Sequence, residues 1–234
     1  MSIRNHSIVQ KALGKLRRQG LAATLHLAFI RLVNLVSPLK ILRGVHVDRA
    51  DPAFLACAEP YRPGFLPAQA LHGFAQDPAT ELSPQFLAPA IEAGDECYGI
   101  CDGGTLASYG WYSTRPTPVV SPELLLHFES RYVYMYKGFT DTRHRGKRLH
   151  AIGMTRALQH YLSKDYGGIV SYVESTNFDS LKSCFRMGYQ VFGSIYLVRI
   201  FGRYFAFSSP GCRRFDFRIE HADALTPELR RGKT

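Results

Sequence analysis

Acidic side chains are nearly missing from the start of this chain. The first 49 residues carry nine Arg or Lys against one acid, Asp48. Beyond them, twenty basic and eighteen acidic residues almost cancel, so most of the overall charge of +10 sits in one N-terminal segment. Cysteine is sparse and patternless. The five residues Cys57, Cys97, Cys101, Cys184 and Cys212 are an odd number with no CxxC pair. That argues against a disulfide framework or a cysteine zinc site and suits a reducing compartment. There is no internal repeat and no low-complexity tract. No stretch combines the charged start, short apolar core and small-residue cleavage site of a secretion signal, so a cytoplasmic protein is expected. The longest apolar segment, Leu21 to Val36, is too short to span a bilayer and is interrupted by His26, Arg31 and Asn34. What remains is ordinary globular material. With 234 residues, 46% hydrophobic and 12% aromatic, the chain can bury a substantial core.

The basic segment has helical periodicity, with Leu21, Leu25, Ala28, Leu32 and Val36 recurring at three- and four-residue steps, and Ser37-Pro38 should break it. Two readings stand. A basic amphipathic helix can lie on an anionic membrane surface, at the inner face of the membrane. Its apolar face can equally pack on its own domain or on a second copy of the chain, as a homodimer. The spacing therefore predicts a helical extension over residues 1–44, a main domain over 45–212 and a C-terminal tail over 213–234.

Residues 51–95, rich in Pro and Ala, read as short helices and loops without identifiable chemistry. "CYGICDGGTLASYGWYS" reads as two strands around an Asp102-Gly103-Gly104 turn. "RYVYMYKGFT" is a further strand, rich in β-branched and aromatic residues. Ala151, Met154, Leu158, Tyr161 and Leu162 mark an amphipathic helix that Gly167-Gly168 closes. "IVSYVES" is a strand, and "TNFDSLKSCFRMG" a short helix capped by Asn177 and ended by Gly188. Two strands around Gly193 and Gly202 follow. This order predicts an α/β fold around a mixed sheet.

Between the aromatic strand and the amphipathic helix lies "DTRHRGKRLH", with four Arg or Lys and two His around one Gly. A strand that hands over to a helix through a glycine turn gathers free backbone N–H groups and the positive helix end at one spot, an anion site. Arg145, Lys147 and Arg148 add charge suited to a diphosphate and a further phosphate. A loop that is basic only for solubility is the plain alternative. A nucleic-acid patch would be spread over a face and interleaved with exposed aromatics, and no nucleic-acid-binding motif is recognisable.

The second segment, "NFDSLKSCFRMGY", resembles the closing motif of the GCN5-related N-acetyltransferase (GNAT) superfamily, with Asn177, Ser180, Gly188 and Tyr189 in the matching places. "RGKRLH" resembles the same superfamily's pyrophosphate loop, usually Arg/Gln-Gly-x-Gly-x-Gly/Ala. The resemblance covers about residues 95–207. It implies the acyl-CoA N-acyltransferase fold, a mixed and mostly antiparallel sheet with flanking helices. It also implies acyl-CoA, acetyl or longer, as co-substrate and no metal. Acyl transfer to a primary amine would follow, the acceptor being an amino lipid, an amino sugar or an amino acid. The strands Tyr132–Thr140 and Ile169–Glu174 should splay to admit the pantetheine arm. Gly138 should permit a bulge that aims the N–H groups of Phe139 and Thr140 at the cofactor. The implied cofactor-binding set is Phe139, Thr140, Arg145, Gly146, Lys147, Arg148, Leu149, His150 and Asn177.

The chain departs from the family pattern in two places. Arg148 and His150 stand where small residues are usual, and Cys184 stands where the family commonly has a tyrosine that protonates the leaving thiolate. Cys184 is either that acid or packing, with water, Tyr134, Tyr136, Tyr172 or Tyr189 as substitutes. Glu174 is the preferred general base, or a support for the cap of the next helix; Lys137 and His127 are weaker candidates. The same departures leave room for a catalytically silent acyl-CoA-binding or regulatory module.

Overall fold

The structure, a computed structural model, describes residues 20–34 and 38–222. Residues 1–19 of the expected extension, Val36 and Ser37 at its expected break, and the last twelve residues of the expected tail lie outside them. The chain forms a mixed, mostly antiparallel sheet with flanking helices, and a helix over Leu21–Val33 precedes it.

Eight strands make the main sheet: β1 (Leu39–Val47), β2 (Tyr61–Phe65), β3 (Glu96–Asp102), β4 (Thr105–Ser113), β7 (Val133–Thr140), β8 (Ile169–Glu174), β9 (Gln190–Ile200) and β10 (Arg203–Ser208). Their order is β10-β9-β1-β8-β7-β4-β3-β2. Every neighbouring pair is antiparallel except β7 and β8, whose connection is long enough for a crossover helix, as parallel neighbours require. A second sheet of β5 (Thr117–Val119), β6 (Ser121–His127) and β11 (Arg218–His221) lies in the order β11-β6-β5.

The helices are α1 (Leu21–Val33), α2 (Ala68–Phe74), α3 (Pro84–Glu92), α4 (Leu149–Leu162) and α5 (Phe178–Arg186). In α4 the buried residues Leu149, Ile152, Met154, Leu158 and Tyr161 recur at helical spacing. They pack on one face of the main sheet with Val45, Val133, Ile169 and Val173. The opposite face packs against the second sheet through Leu42, Leu126, Tyr134, Phe215 and Phe217, and against α2 and α3 through Leu71, Leu87 and Trp111.

Three expectations need correction. Residues 39–44 are not part of a helical extension: β1 starts at Leu39 and pairs with both β8 and β9 near the middle of the sheet. Residues 213–222 are not a tail, since Phe215 and Phe217 are fully buried and β11 pairs with β6. Gly193 does not end a strand, because β9 runs straight through it to a hairpin at Phe201-Gly202. Its role is close approach. A Cβ on Gly193 would lie 2.7 Å from the Cys212 sulfur, and one on Gly211 would run into the Phe192 carbonyl. The two glycines let the Pro210–Phe215 turn close on β9.

Helix α1 turns its apolar stripe outward. Leu21, Leu25, Phe29 and Leu32 are all more than half exposed, while Ile30 on the other side is buried. His26 ties the helix down, its ring nitrogen 2.9 Å from the Ser175 hydroxyl and its ring edge-on to Phe178. The stripe that includes Leu21, Leu25 and Leu32 is thus not packed on the described part of its own domain. No helix among the described residues is long and apolar enough to cross a membrane.

If the C-terminal segment belongs to the core, Phe215→Ala should lower unfolding free energy by about 3–5 kcal/mol, as for other buried Phe truncations. Urea unfolding of the full chain measures it, and a loss near the ~0.5 kcal/mol of surface changes would contradict the assignment.

Candidate active site

The site begins where the parallel pair fails. β7 and β8 are in register at only two positions, Val133 with Ile169 and Tyr134 with Val170, and then diverge. A bulge in β7 accompanies the split. Tyr112 faces Met135 and Trp111 faces Lys137, which leaves Tyr136 without a partner on β4. The expected bulge is therefore at Tyr136 and not at Gly138. It sends two successive side chains to the same face, Tyr136 to Asp95 and Lys137 to the ring of Phe86.

Past the bulge the antiparallel ladder decides which amides are free. The Asp141 N–H donates to the Ala107 carbonyl at 3.0 Å. Bonded and non-bonded pairs alternate along such a ladder, so Phe139 bonds Tyr109 on β4, while the N–H groups of Gly138 and Thr140 turn toward the gap. The Thr140 N–H thus faces the gap, whereas the Phe139 N–H is spent within the sheet and its ring stacks on Tyr109. Gly138 is needed for a different reason: a Cβ there would lie 2.5 Å from the His150 ring.

The gap opens into a cleft of about 350 Å³ between β7, β8, α4 and α5. Of the expected residues, His150, Glu174, Asn177 and Cys184 line it; Phe139, Thr140 and the loop from Arg145 to Leu149 do not. Glu174 stands at its mouth in a salt bridge with Lys40, Oε1 to Nζ 3.0 Å, both side chains about half exposed. The carboxylate makes no contact with the cap of α5. That cap is Asn177, whose Oδ1 accepts from the Ser180 N–H at 3.2 Å.

Cys184 is buried, and loss of hydration pushes its thiol up to about 11. Tyr189 also lines the cleft, and burial raises its phenol well above the ordinary value. Its hydroxyl is buried without a hydrogen-bond partner. At neutral pH both groups keep their protons, so they can donate and cannot act as bases. Tyr136 and Tyr172 border the cleft as well, whereas Tyr134 is locked in the core. His127 sits on the second sheet beside Glu220, and Lys137 donates to the Glu81 carbonyl, so neither candidate base reaches the cleft. Among the described residues no cluster of His, Cys, Asp or Glu has the makings of a metal site.

The basic loop is built from within. Asp141 accepts from the Arg143 N–H at 2.8 Å and clamps its guanidinium, which holds the carboxyl down at about 2. Gly146 at φ 81° and Arg148 at φ 60° then turn the chain into α4, with no side chain capping the first turn. The Lys147 ammonium donates to the Tyr61 hydroxyl at 2.6 Å, and the same hydroxyl is hydrogen-bonded to His144 Nδ1 at 3.0 Å. Lys147 is thereby drawn back onto β2. Arg145 and Arg148 remain exposed, with no acidic partner among the described residues. Leu149 contributes only backbone, since its side chain is in the core.

No protein-family model matches the chain, and no curated protein does either. Solved structures that resemble it include GNAT acetyltransferases. One is described as a GNAT-family acetyltransferase from Novosphingobium aromaticivorans, at 13% identity over 79% of this chain and 66% of that one, TM-score 0.46. A tandem GNAT protein of clavulanic acid biosynthesis shares 17% identity over 74% of this chain and 54% of its own, TM-score 0.47. A GCN5-related N-acetyltransferase-like protein from Streptococcus suis shares 11% identity over 71% of this chain and 65% of its own, TM-score 0.48. This chain therefore spans less than two thirds of the length of each.

Sequence reading had Tyr189 only as one of several substitute acids, and it missed Lys40 as the partner of Glu174 and Asp95 under Tyr136. Only Tyr189 had a local signal, its place after Gly188 at the end of the closing motif.

Burial of the His150 ring lowers its pKa from the usual 6.5 to about 4. A depressed histidine contributes stability that is present above the unfolded value and is lost as pH falls through 6.5 toward 4. At most about 3 kcal/mol should disappear over that window. His150→Leu should flatten this part of a urea-derived stability profile, and an unchanged slope would contradict the buried, neutral imidazole.

Proposed function

We propose that this protein transfers an acyl group from acyl-CoA to a primary amine. The observation that carries the reading is the continuity of three features. The split between β7 and β8 exposes the Gly138 and Thr140 amides, and the cleft beside it is lined by α4 and α5. The uncapped start of α4, with Arg145, Gly146 and Arg148, follows directly in the chain. The first would polarise a thioester carbonyl, the second would house the pantetheine arm, and the third would hold the phosphates.

The ammonium loses one proton to free its lone pair, a C–N bond forms at the thioester carbon and the C–S bond breaks, the nitrogen sheds a second proton, and the CoA thiolate gains one, so that one proton is released overall. Glu174, at the cleft mouth, takes up the first proton directly or through water. Tyr189 protonates the thiolate and is restored by the second proton that the nitrogen sheds. Its hydroxyl has no other partner, whereas Cys184, whose carbonyl accepts from the Met187 and Tyr189 N–H groups, is packed into the core cluster. A silent acyl-CoA-binding module is the second reading, and it is favoured if Tyr189 proves inert.

The outward stripe of α1 and the basic N-terminal segment support a further part of the proposal: a cytoplasmic protein that associates with the inner face of a membrane. Acetyl or longer acyl donors are both compatible with this reading.

Three results are expected. Acetyl-CoA or palmitoyl-CoA binds the full chain in calorimetry, and Gly146→Glu abolishes it by placing a charged side chain in a left-handed turn meant for phosphate; binding of neither thioester would sink the proposal. Tyr189→Phe lowers kcat by about 10²-fold while Cys184→Ala stays within a few fold, and the reverse order would make Cys184 the acid. In flotation with anionic vesicles, serine at Leu21, Leu25, Phe29 and Leu32 together releases the protein; equal recovery of both forms would remove the membrane from the account.

A further inference from the structure

A second cavity, of about 530 Å³, lies on the other side of Tyr136, between α3 and the Arg115–Pro118 segment that leads into β5. Its walls are mostly apolar, with Phe86, Pro89, Ala93, Pro116, Pro118 and Leu125, and Gln85 and Thr117 add polar side chains. One acid is set into them. The Asp95 side chain is only 7% exposed. One carboxylate oxygen, Oδ2, accepts from the Tyr136 hydroxyl at 2.9 Å. The other, Oδ1, receives no hydrogen bond; its nearest cation is Arg115 at 3.9 Å, on a side chain about half exposed at the rim. A carboxylate set in mostly apolar walls, with only a long ion pair to a half-exposed arginine on one oxygen, favours a cation that brings its own N–H groups closer.

Tyr136 joins this cavity to the cleft. It is the bulged residue of β7, and its ring borders both spaces, which lie on opposite faces of the main sheet. A group seated on Asp95 is therefore separated from the gap by one aromatic side chain.

We infer that this cavity takes a primary amine with an apolar body and no carboxylate, its ammonium on Asp95 and its hydrocarbon or aryl part between α3 and the Arg115–Pro118 segment. This rests on the acyl-transfer reading for its purpose, because the amine would be the acceptor, but the binding itself does not depend on acyl-CoA. An amino sugar fits poorly, since its hydroxyls would be stranded against proline and leucine walls. An amino acid would set a second carboxylate beside Asp95. A cavity of this size suits a one-ring amine.

The test is calorimetry on the full chain with 2-phenylethylamine, glucosamine and L-phenylalanine, with acetyl-CoA titrated separately. Saturable binding of 2-phenylethylamine is expected, at least about tenfold tighter than either of the others. Asp95→Asn should weaken it by about tenfold or more through loss of the charge-assisted contact. Ala93→Trp, which fills the apolar part and leaves Asp95 and Tyr136 in place, should abolish it. Absence of saturable amine binding, equal affinity in both variants, or L-phenylalanine or glucosamine binding as tightly as 2-phenylethylamine would overturn the inference. Acetyl-CoA binding without amine binding defeats this inference and leaves acyl transfer standing. Amine binding without acetyl-CoA binding keeps the amine site and defeats acyl transfer.

Discussion

The structure depends on a parallel strand pair that is allowed to fail. Strands β7 and β8 bond at Val133 and Tyr134 and then part, and a sheet interior rarely leaves such backbone unpaired unless something else is to meet it. The bulge at Tyr136 makes the parting possible. It breaks the register on the β4 side and rotates the next amides, so that Gly138 and Thr140 face the opening while Phe139 stays bonded. The neighbouring helices α4 and α5 line that gap. Helix α4 closes one wall with His150, which fits only because Gly138 has no Cβ, and α5 closes another with Cys184.

The same bulge gives the two faces of the sheet different chemistry. On the α4 side, apart from Glu174 at its mouth, the titratable groups lining the cleft are neutral at physiological pH: an imidazole held at about 4, a thiol raised to about 11 and a phenol raised well above its ordinary value. On the other side Asp95 anchors Tyr136 beneath an apolar cavity. The thiol and phenol, which keep their protons, suit donation, and a buried carboxylate with only a long ion pair on one oxygen suits a cation. The division follows from burial and from which residue stands opposite the bulge.

Much of this was legible in sequence where the signal is local. The Asp102-Gly103-Gly104 turn, the basic loop, the helix after it and the Asn177 cap all depend on a few neighbouring residues, and each appears where its pattern predicts. The rest depended on distant partners. Leu39–Val47 continues a helical apolar spacing, and only its pairing with β8 and β9 makes it a strand. Gly193 looks like a strand end until Cys212 is seen against it. The placement of the bulge one turn of the ladder early, at Tyr136, reflects the register of Trp111 and Tyr112, which lie on another strand. Asp95 gave no signal at all in a segment of short helices, because its meaning comes from Tyr136, forty-one positions later.

The central claim is that the amides freed by the split meet an acyl thioester. Amide resonances of the nitrogen-labelled chain, followed as acetyl-CoA is added, test it most directly. The account predicts that Gly138 and Thr140 exchange with water quickly in the free protein, then shift and become protected, while Phe139 is protected throughout. Saturable binding that leaves both amides unmoved would contradict it.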